Sequence, residues 1–320
     1  MNKINTPTSI LEFGSTHIRL AVYEEKILNN NIFFEEKIDF TRDENNLEEQ
    51  TVFNIIEKAE KNLGQHLNEI ILLIDNPAIY SLDYCVKNNY GQKIISNDDI
   101  EHLIQDCENQ IKINNKEKEI LHTITSKIYF DDIEMRDLNN VSKKTKNVVI
   151  EIKFILIDKI IFNKLKNLLL KKHILLKKIF CVSYLKSLGL INKLSISGYN
   201  SFIDIGLKKS SIMIFKDDKL LFFNYSHIGG DHITKDISKI LKIDYRTAES
   251  KKIKFYKSSG FRSFKNEDEF LKKIINSRLE EIIEILFLDC PFRKKNFFGS
   301  NLKIFFLGNG SKVLNENMLS

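Results

Sequence analysis

Ser9-Ile-Leu-Glu-Phe-Gly-Ser-Thr-His-Ile-Arg-Leu-Ala-Val-Tyr23 reads as two apolar strands joined by a polar turn at Gly14. Phe202-Ile-Asp-Ile-Gly-Leu-Lys-Lys-Ser-Ser-Ile-Met-Ile-Phe215 reads the same way. The order acid, apolar residue, glycine at Glu12-Phe13-Gly14 returns at Asp204-Ile205-Gly206, an offset of 206 − 14 = 192 residues. A repeat at that spacing implies two similar halves.

Each copy continues alike. Glu24-Glu-Lys26 forms a polar turn before a strand around Ile32-Phe-Phe34, and Lys216-Asp-Asp-Lys219 precedes Leu220-Leu-Phe-Phe223, so each half opens on an antiparallel meander. A helix follows in each. Val52, Phe53, Ile56, Ala59 and Leu63 fall at helical spacing with Gly64 as C-terminal cap, and Ile233, Ile237, Ile240 and Leu241 do so after Gly229-Gly230. Meander plus helix, used twice, predicts an α/β fold of the actin-like, ribonuclease H-like kind, with two lobes, mixed sheets and inserted material.

The insertion runs from about Tyr84 to Asp158. It has an amphipathic helix with Ile100, Leu103, Ile104, Cys107 and Ile111, started by Ser96-Asn-Asp-Asp99, and two strands near Ile120 to Phe130 and Val148 to Ile157. That predicts a small α+β unit. A helix with Ile160, Ile161, Leu165, Leu168 and Leu169 then rejoins the first half, with lysines on its solvated face. In the second half Asp244 caps a helix holding Ala248, Glu249 and Lys252, and Ile274, Ile275, Leu279, Ile282, Ile283 and Leu286 mark a longer one, packed in the core rather than on a membrane.

Composition excludes several classes. With 320 residues, 42% hydrophobic and 29% charged, the chain has the balance of a folded protein of about two domains. No apolar run is long enough to span a bilayer. Met1 to Pro7 carries no secretory pattern, which makes the cytoplasm the expected compartment. Cys85, Cys107, Cys181 and Cys290 stand far apart and read as reduced core residues. The net charge is +6, but the lysines read as scattered among acids without interleaved aromatics, so no nucleic acid is expected. His17, His227 and His232 match no ligand spacing, and no direct metal ligand is expected.

Glycine is scarce, 12 in all, which makes Gly229-Gly230 and Gly308-Asn309-Gly310 informative, since glycine lets a backbone approach a ligand closely. An actin-like protein holds phosphates on hairpin turns whose N–H groups point at them. Gly14-Ser15-Thr16 suits that task, with Glu12 placed to hold the hydration shell of Mg2+. Leu207, Lys208 and Lys209 suit it less. Their side chains crowd a phosphate, and the two lysines either neutralise it or are solvated; weakened binding is the favoured reading.

On these residues the chain resembles the bacterial cell-division actin FtsA. Ser9 to Tyr23 and Phe202 to Phe215 are similar to that family's phosphate loops. Tyr225 to Ile237 and Thr247-Ala-Glu-Ser-Lys-Lys252 are similar to its G-x-x-x-T-x-D-I and A-E-x-x-K helices, and Phe305 to Leu314 to its adenosine motif. Ser96 to Asp158 resembles the family's inserted subdomain 1C. The resemblance implies subdomain 1A at 1–83 and 159–198, 1C at 84–158, 2A at 199–243 and 299–320, and 2B at 244–298. It implies ATP and Mg2+ as ligands, with Glu12, Gly14, Ser15, Thr16, Asp204, Gly206, Gly229 and Gly230 around the phosphates and metal. Glu249 and Lys252 would face ribose and adenine, and Gly308 and Gly310 would lie under the base.

The resemblance further implies a scaffold with at most slow ATP turnover, self-association into filaments, and binding of the C-terminal peptide of FtsZ at the division septum, on the cytoplasmic face of the inner membrane. Arg278 matches an arginine of the family's FtsZ-binding surface, and equally reads as a solvated partner of Glu281. The chain departs from the family pattern at Glu12 for aspartate, at Gly206-Leu-Lys-Lys209, at Leu138-Asn139-Asn140, and in stopping soon after the adenosine motif, so membrane association is expected to be indirect. Two alternatives stand beside this one. The first is a pilus-assembly ATP-binding adaptor that shares subdomain 1C. The second is a phosphotransferase, for which Asp231 or Asp236 would be the general base.

Overall fold

The structure is a computed structural model and describes residues 8–14, 16–23, 32–38, 44–76, 78–135, 142–258, 266–292 and 302–313. Ser15 and Leu138-Asn139-Asn140 lie outside the described residues. The chain divides into two compact units, 1–182 and 183–320.

The first unit opens on β1 (Thr8–Phe13), β2 (His17–Tyr23) and β3 (Ile32–Lys37), an antiparallel meander, followed by α1 (Glu44–Leu63) and β4 (Glu69–Ile74). β4 returns parallel to β1, a connection that needs a crossover such as α1. Later in the chain β9 (Leu175–Cys181) adds a parallel edge, giving the order β3-β2-β1-β4-β9. α1 packs on β2 and β3 through its buried apolar stripe, Val52, Ile55, Ile56 and Ala59. Gly64 ends it at φ 67°, its N–H donating to the Glu60 carbonyl.

Between β4 and β9 lies a second sheet of order β5-β8-β6-β7, built from β5 (Tyr80–Ser96), β6 (Lys118–Phe130), β7 (Ile133–Glu134) and β8 (Ser142–Asp158), with α2 (Asn97–Asn114) against it. Ser96 caps α2 in a capping box with Asp99. Ile100, Leu103, Cys107 and Ile111 of α2 join Ile128, Phe130, Ile150, Ile152 and Phe154 of the strands in a core of their own. The long strand β5 is absent from the sequence reading. Leu82, Tyr84 and Val86 do alternate, but a break at Asn89/Lys93, with Gly91 and Gln92 both at positive φ, splits the pattern. Cys85 on β5 is exposed, against the expectation of a core cysteine, because it falls on the face of β5 opposite that alternation. α3 (Lys159–Leu170) follows β8 and packs against β9. Its Ile160, expected on the apolar face, is 83% exposed.

The second unit repeats the plan. α4 (Val182–Leu194), which starts at the boundary, leads into β10 (Tyr199–Ile205), β11 (Ser210–Lys216) and β12 (Lys219–Ser226), a second antiparallel meander. Three helices, α5 (Gly230–Leu241), α6 (Tyr245–Ser258) and α7 (Asn266–Phe287), precede β13 (Lys303–Leu307), which runs parallel to β10 in the order β12-β11-β10-β13. Ile233 and Ile237 of α5, Ala248 and Phe255 of α6, and Ile275, Leu279 and Ile282 of α7 bury together against Ile203, Ile205 and Ile212 of the sheet. Ile240 is half exposed rather than core. Among the described residues no helix is long and apolar enough to cross a membrane.

Candidate functional site

The two hairpins have the same register at the same 192-residue offset. Glu12 faces Arg19 and Phe13 faces Ile18 in the first; Asp204 faces Ser211 and Ile205 faces Ser210 in the second. Both turns close alike. The Gly14 N–H donates to the His17 carbonyl at 3.0 Å, and the Gly206 N–H to the Lys209 carbonyl at 2.9 Å. The N–H groups of Thr16 and Leu207, inside the turns, donate to no described residue. Such inward-curved turns with spare donors are the backbone geometry that cradles anions.

The acids differ between the copies. Arg19, opposite Glu12, reaches its carboxylate at 3.2 Å and that of Glu35 at 2.7 Å. The equivalent of Arg19 is Ser211, so Asp204, 6% exposed, has no arginine opposite it. The second turn also corrects the reading of its lysines: Lys208 is exposed, but Lys209 is 2% exposed and is not a solvated side chain.

The glycines gather around the end of β10. A Cβ on Gly229 would lie 2.6 Å from the Leu207 carbonyl oxygen and 2.7 Å from that of Gly206; on Gly308, 2.3 Å from Asp204 Oδ1; on Gly310, 2.7 Å from the Ile205 carbonyl oxygen. Gly229 accommodates neighbouring backbone alone, whereas Gly308 and Gly310 leave room for the Asp204 carboxylate and the Ile205 side chain as well as the Ile205 backbone, so three chain segments pack closely at the end of β10. The turn also caps α5. The Gly230 N–H donates to the Gly206 carbonyl and the Asp231 N–H to that of Leu207, each at 2.9 Å, satisfying donors that a helix start otherwise leaves open.

Lys252 is a second buried lysine of this region, and all three of its donors are engaged: the Gly230 carbonyl at 3.0 Å, Thr234 Oγ1 at 2.6 Å and Glu249 Oε2 at 2.7 Å. Thr234 in turn donates toward Glu249 Oε2. Glu249 Oε1 has no partner among the described residues. Lys252 therefore ties α6 to the start of α5. Ser311 Oγ donates to the Gly308 carbonyl at 2.8 Å and closes the turn after β13.

Arg278 on α7 holds Asp236 on α5 with two bonds, at 2.6 and 3.0 Å, and Glu281 at 2.5 Å. It is an interhelix ion pair as well as the local pair that spacing suggested. Asp236 is thereby occupied. Asp231 accepts from the Tyr245 hydroxyl at 2.7 Å and from Lys235. Burial alone would raise the Asp231 carboxyl, but these two hydrogen bonds hold it below its ordinary value. Asp231 is therefore not a general base poised near neutral pH, and Asp236 is engaged by Arg278. His17 Nδ1 lies 2.9 Å from Thr16 Oγ1, and no described cluster of His, Cys, Asp and Glu could hold a metal.

Comparison with solved structures gives this arrangement a family of shapes. A PilM–PilN type IV pilus biogenesis complex matches with a TM-score of 0.66 at 13% identity, over 98% of this chain and 85% of that one. The MreB5 protein of Spiroplasma citri bound to ADP matches with a TM-score of 0.53 at 11% identity, over 98% of this chain and 88% of that one. The fold is actin-like. In sequence, a family model described as "Cell division protein FtsA" matches residues 201–282, from β10 into α7. A cell division protein FtsA of Streptococcus pneumoniae serotype 2 is 28% identical over 97 residues, 26% of this chain and 21% of that protein. The chain thus spans about a fifth of the length of that curated relative.

Thr234 was absent from the sequence-derived candidates, although its spacing of four residues after Gly230 marks it, while Asp236, considered there only as a general base, is instead held by Arg278. His122 on β6 was missed altogether. Its Nε2 accepts the Cys181 N–H of β9 at 2.9 Å, its ring lies 5.4 Å from that of Phe180, and burial pushes its pKa down to about 4. A lone histidine in a strand carries no sequence signal for such a contact.

Proposed function

We propose that the chain is an ATP-binding, actin-like scaffold that recruits the tubulin-like protein FtsZ to the division septum, with ATP stabilising the fold more than driving chemistry. The observation that carries this reading is the family match over 201–282, which takes in the second hairpin, the Gly229-Gly230 start of α5, the Lys252 network and Arg278. In this reading the spare N–H groups of Thr16 and Leu207 meet phosphate oxygens, with Gly14, Gly206 and Gly230 shaping the backbone around them. Asp204 and Glu12 orient Mg2+-bound water, Glu12 less freely because Arg19 holds it. Glu249 offers Oε1 to a ribose hydroxyl while Lys252 positions it, and Gly308 and Gly310 shape the backbone under the base. Arg278 binds a carboxylate of the FtsZ peptide by exchanging Glu281, its more exposed partner.

A second reading rests on the pilus complex, whose likeness extends over 98% of this chain. In that reading this chain is an ATP-binding adaptor for a pilus-assembly partner. The phosphotransferase alternative has no comparable support, since Asp231 and Asp236 are both engaged.

Thermal unfolding with and without Mg-ATP tests the nucleotide claim, since a ligand at 100 times its Kd adds about 2.7 kcal/mol. An unchanged midpoint at saturating Mg-ATP removes it. Retention of the chain by immobilised FtsZ C-terminal peptide, weakened by Arg278→Ala, separates the septal adaptor from the pilus one.

A further inference from the structure

The reading of lysines as interleaved with acids fails over one stretch. Between Asp158 and Asp204 the sequence has no acidic residue and no arginine, yet lysine recurs throughout. In the first unit this stretch forms α3 and β9. Lys171, Lys172 and Lys177 are paired, to Glu49, Glu57 and Glu69. Lys159, Lys164, Lys166 and Lys178 are exposed and form no ion pair with a described residue.

At 100° per residue, Lys166, Lys159, Leu170, Ile160 and Lys164 follow one another round an arc of about 160° on α3, opposite Leu165 and Leu168. The two apolar members of that arc are bare, Ile160 at 83% and Leu170 at 40% exposure, and Leu175, just past the helix, is 62% exposed. Asp158, at the head of α3, is neutralised by Lys118. A face of unpaired ammonium groups with large aliphatic side chains set between them is costly in water unless something covers it.

We propose that this face of α3, continued by Leu175, docks the chain on an anionic lipid surface. Three features select that occupant. Lysine is a hydrated point charge on a long stem, suited to a diffuse sheet of negative headgroups rather than to bidentate recognition, for which arginine is used. Ile160, Leu170 and Leu175 are aliphatic and would enter the acyl boundary beneath the headgroups, while a nucleic acid would call for exposed aromatic rings. The charge is uncompensated on the face itself. The proposal is independent of nucleotide and of the FtsZ peptide.

Cosedimentation of the full chain with vesicles tests it. Binding is expected to vesicles of phosphatidylcholine mixed with phosphatidylglycerol, falling as salt is raised, and not to phosphatidylcholine alone. Lys164→Gln with Lys166→Gln should lower partitioning roughly 25-fold, at about fivefold per lysine near the surface. Ile160→Ser should weaken binding while leaving its salt dependence in place, and Lys112→Gln with Lys116→Gln on and after α2 should bind as the parent does. The proposal is overturned if the parent ignores anionic vesicles, if it binds neutral ones equally, or if the Lys164/Lys166 variant binds unchanged. Retention by poly-glutamate or a DNA duplex with no affinity for the vesicles would equally reject it, in favour of an acidic macromolecule.

Discussion

A methyl group on Gly308 has nowhere to go. It would stand 2.3 Å from Asp204 Oδ1 and 2.4 Å from the Ile205 carbonyl oxygen, and φ there is +81°, a region that L side chains avoid. Gly308→Ala should therefore cost about 2–5 kcal/mol in strain and displaced backbone, read as a lower urea midpoint; an unchanged midpoint would refute the close packing. Ser201 makes the opposite case. Its hydroxyl is fully buried in β10 with no described partner, and so is that of Ser9, the residue 192 positions earlier in β1. An unsatisfied buried hydroxyl is a liability, so Ser201→Ala should leave stability unchanged or raise it by up to about 1 kcal/mol. A clear loss would reveal a hidden partner. The glycines were visible in the sequence because the chain has so few. Their purpose was not, since sequence cannot say whether ligand or backbone fills the space beside a missing side chain.

Elements that alternate or cycle cleanly were legible. The meanders follow from period two and polar turns, α1 and α5 from helical spacing, and α2 from a capping box that forms as written. β5 escaped because its bulge interrupts the period. The contact of β6 with β9 through His122 carries a pH signature. Burial holds the imidazole neutral down to about pH 4, whereas the unfolded chain takes up the proton near its ordinary 6.5. Stability from this residue is therefore complete above about pH 6.5, falls as pH drops through the window, and levels off below 4, a total of about 3 kcal/mol. His122→Gln keeps an acceptor for the Cys181 N–H and removes the titration. Its stability gap to the parent should shift in its own favour on acidification, and parallel pH curves for the two proteins would contradict the assignment.

At the scale of the molecule, the second unit has its own core, drawn from β10, β11 and α5 to α7. Residues 183–320 expressed alone should accordingly give a single cooperative thermal transition without binding a dye for exposed apolar surface, whereas a fragment that melts gradually would show that the unit depends on the rest of the chain. The sequence by itself determined the duplication, the meander-plus-helix plan of each half and hence the actin-like fold, because strand and helix periods are local and the 192-residue offset preserves them. Only the tertiary structure decided that Lys252 is spent on the start of α5, that Arg278 clasps Asp236, that Gly229, Gly308 and Gly310 make room for the end of β10 and the turn after it, and that α3 turns its lysines and Ile160 outward. Those outcomes depend on which distant segment lies against each residue, and a periodic pattern fixes the face of an element without naming what will cover it.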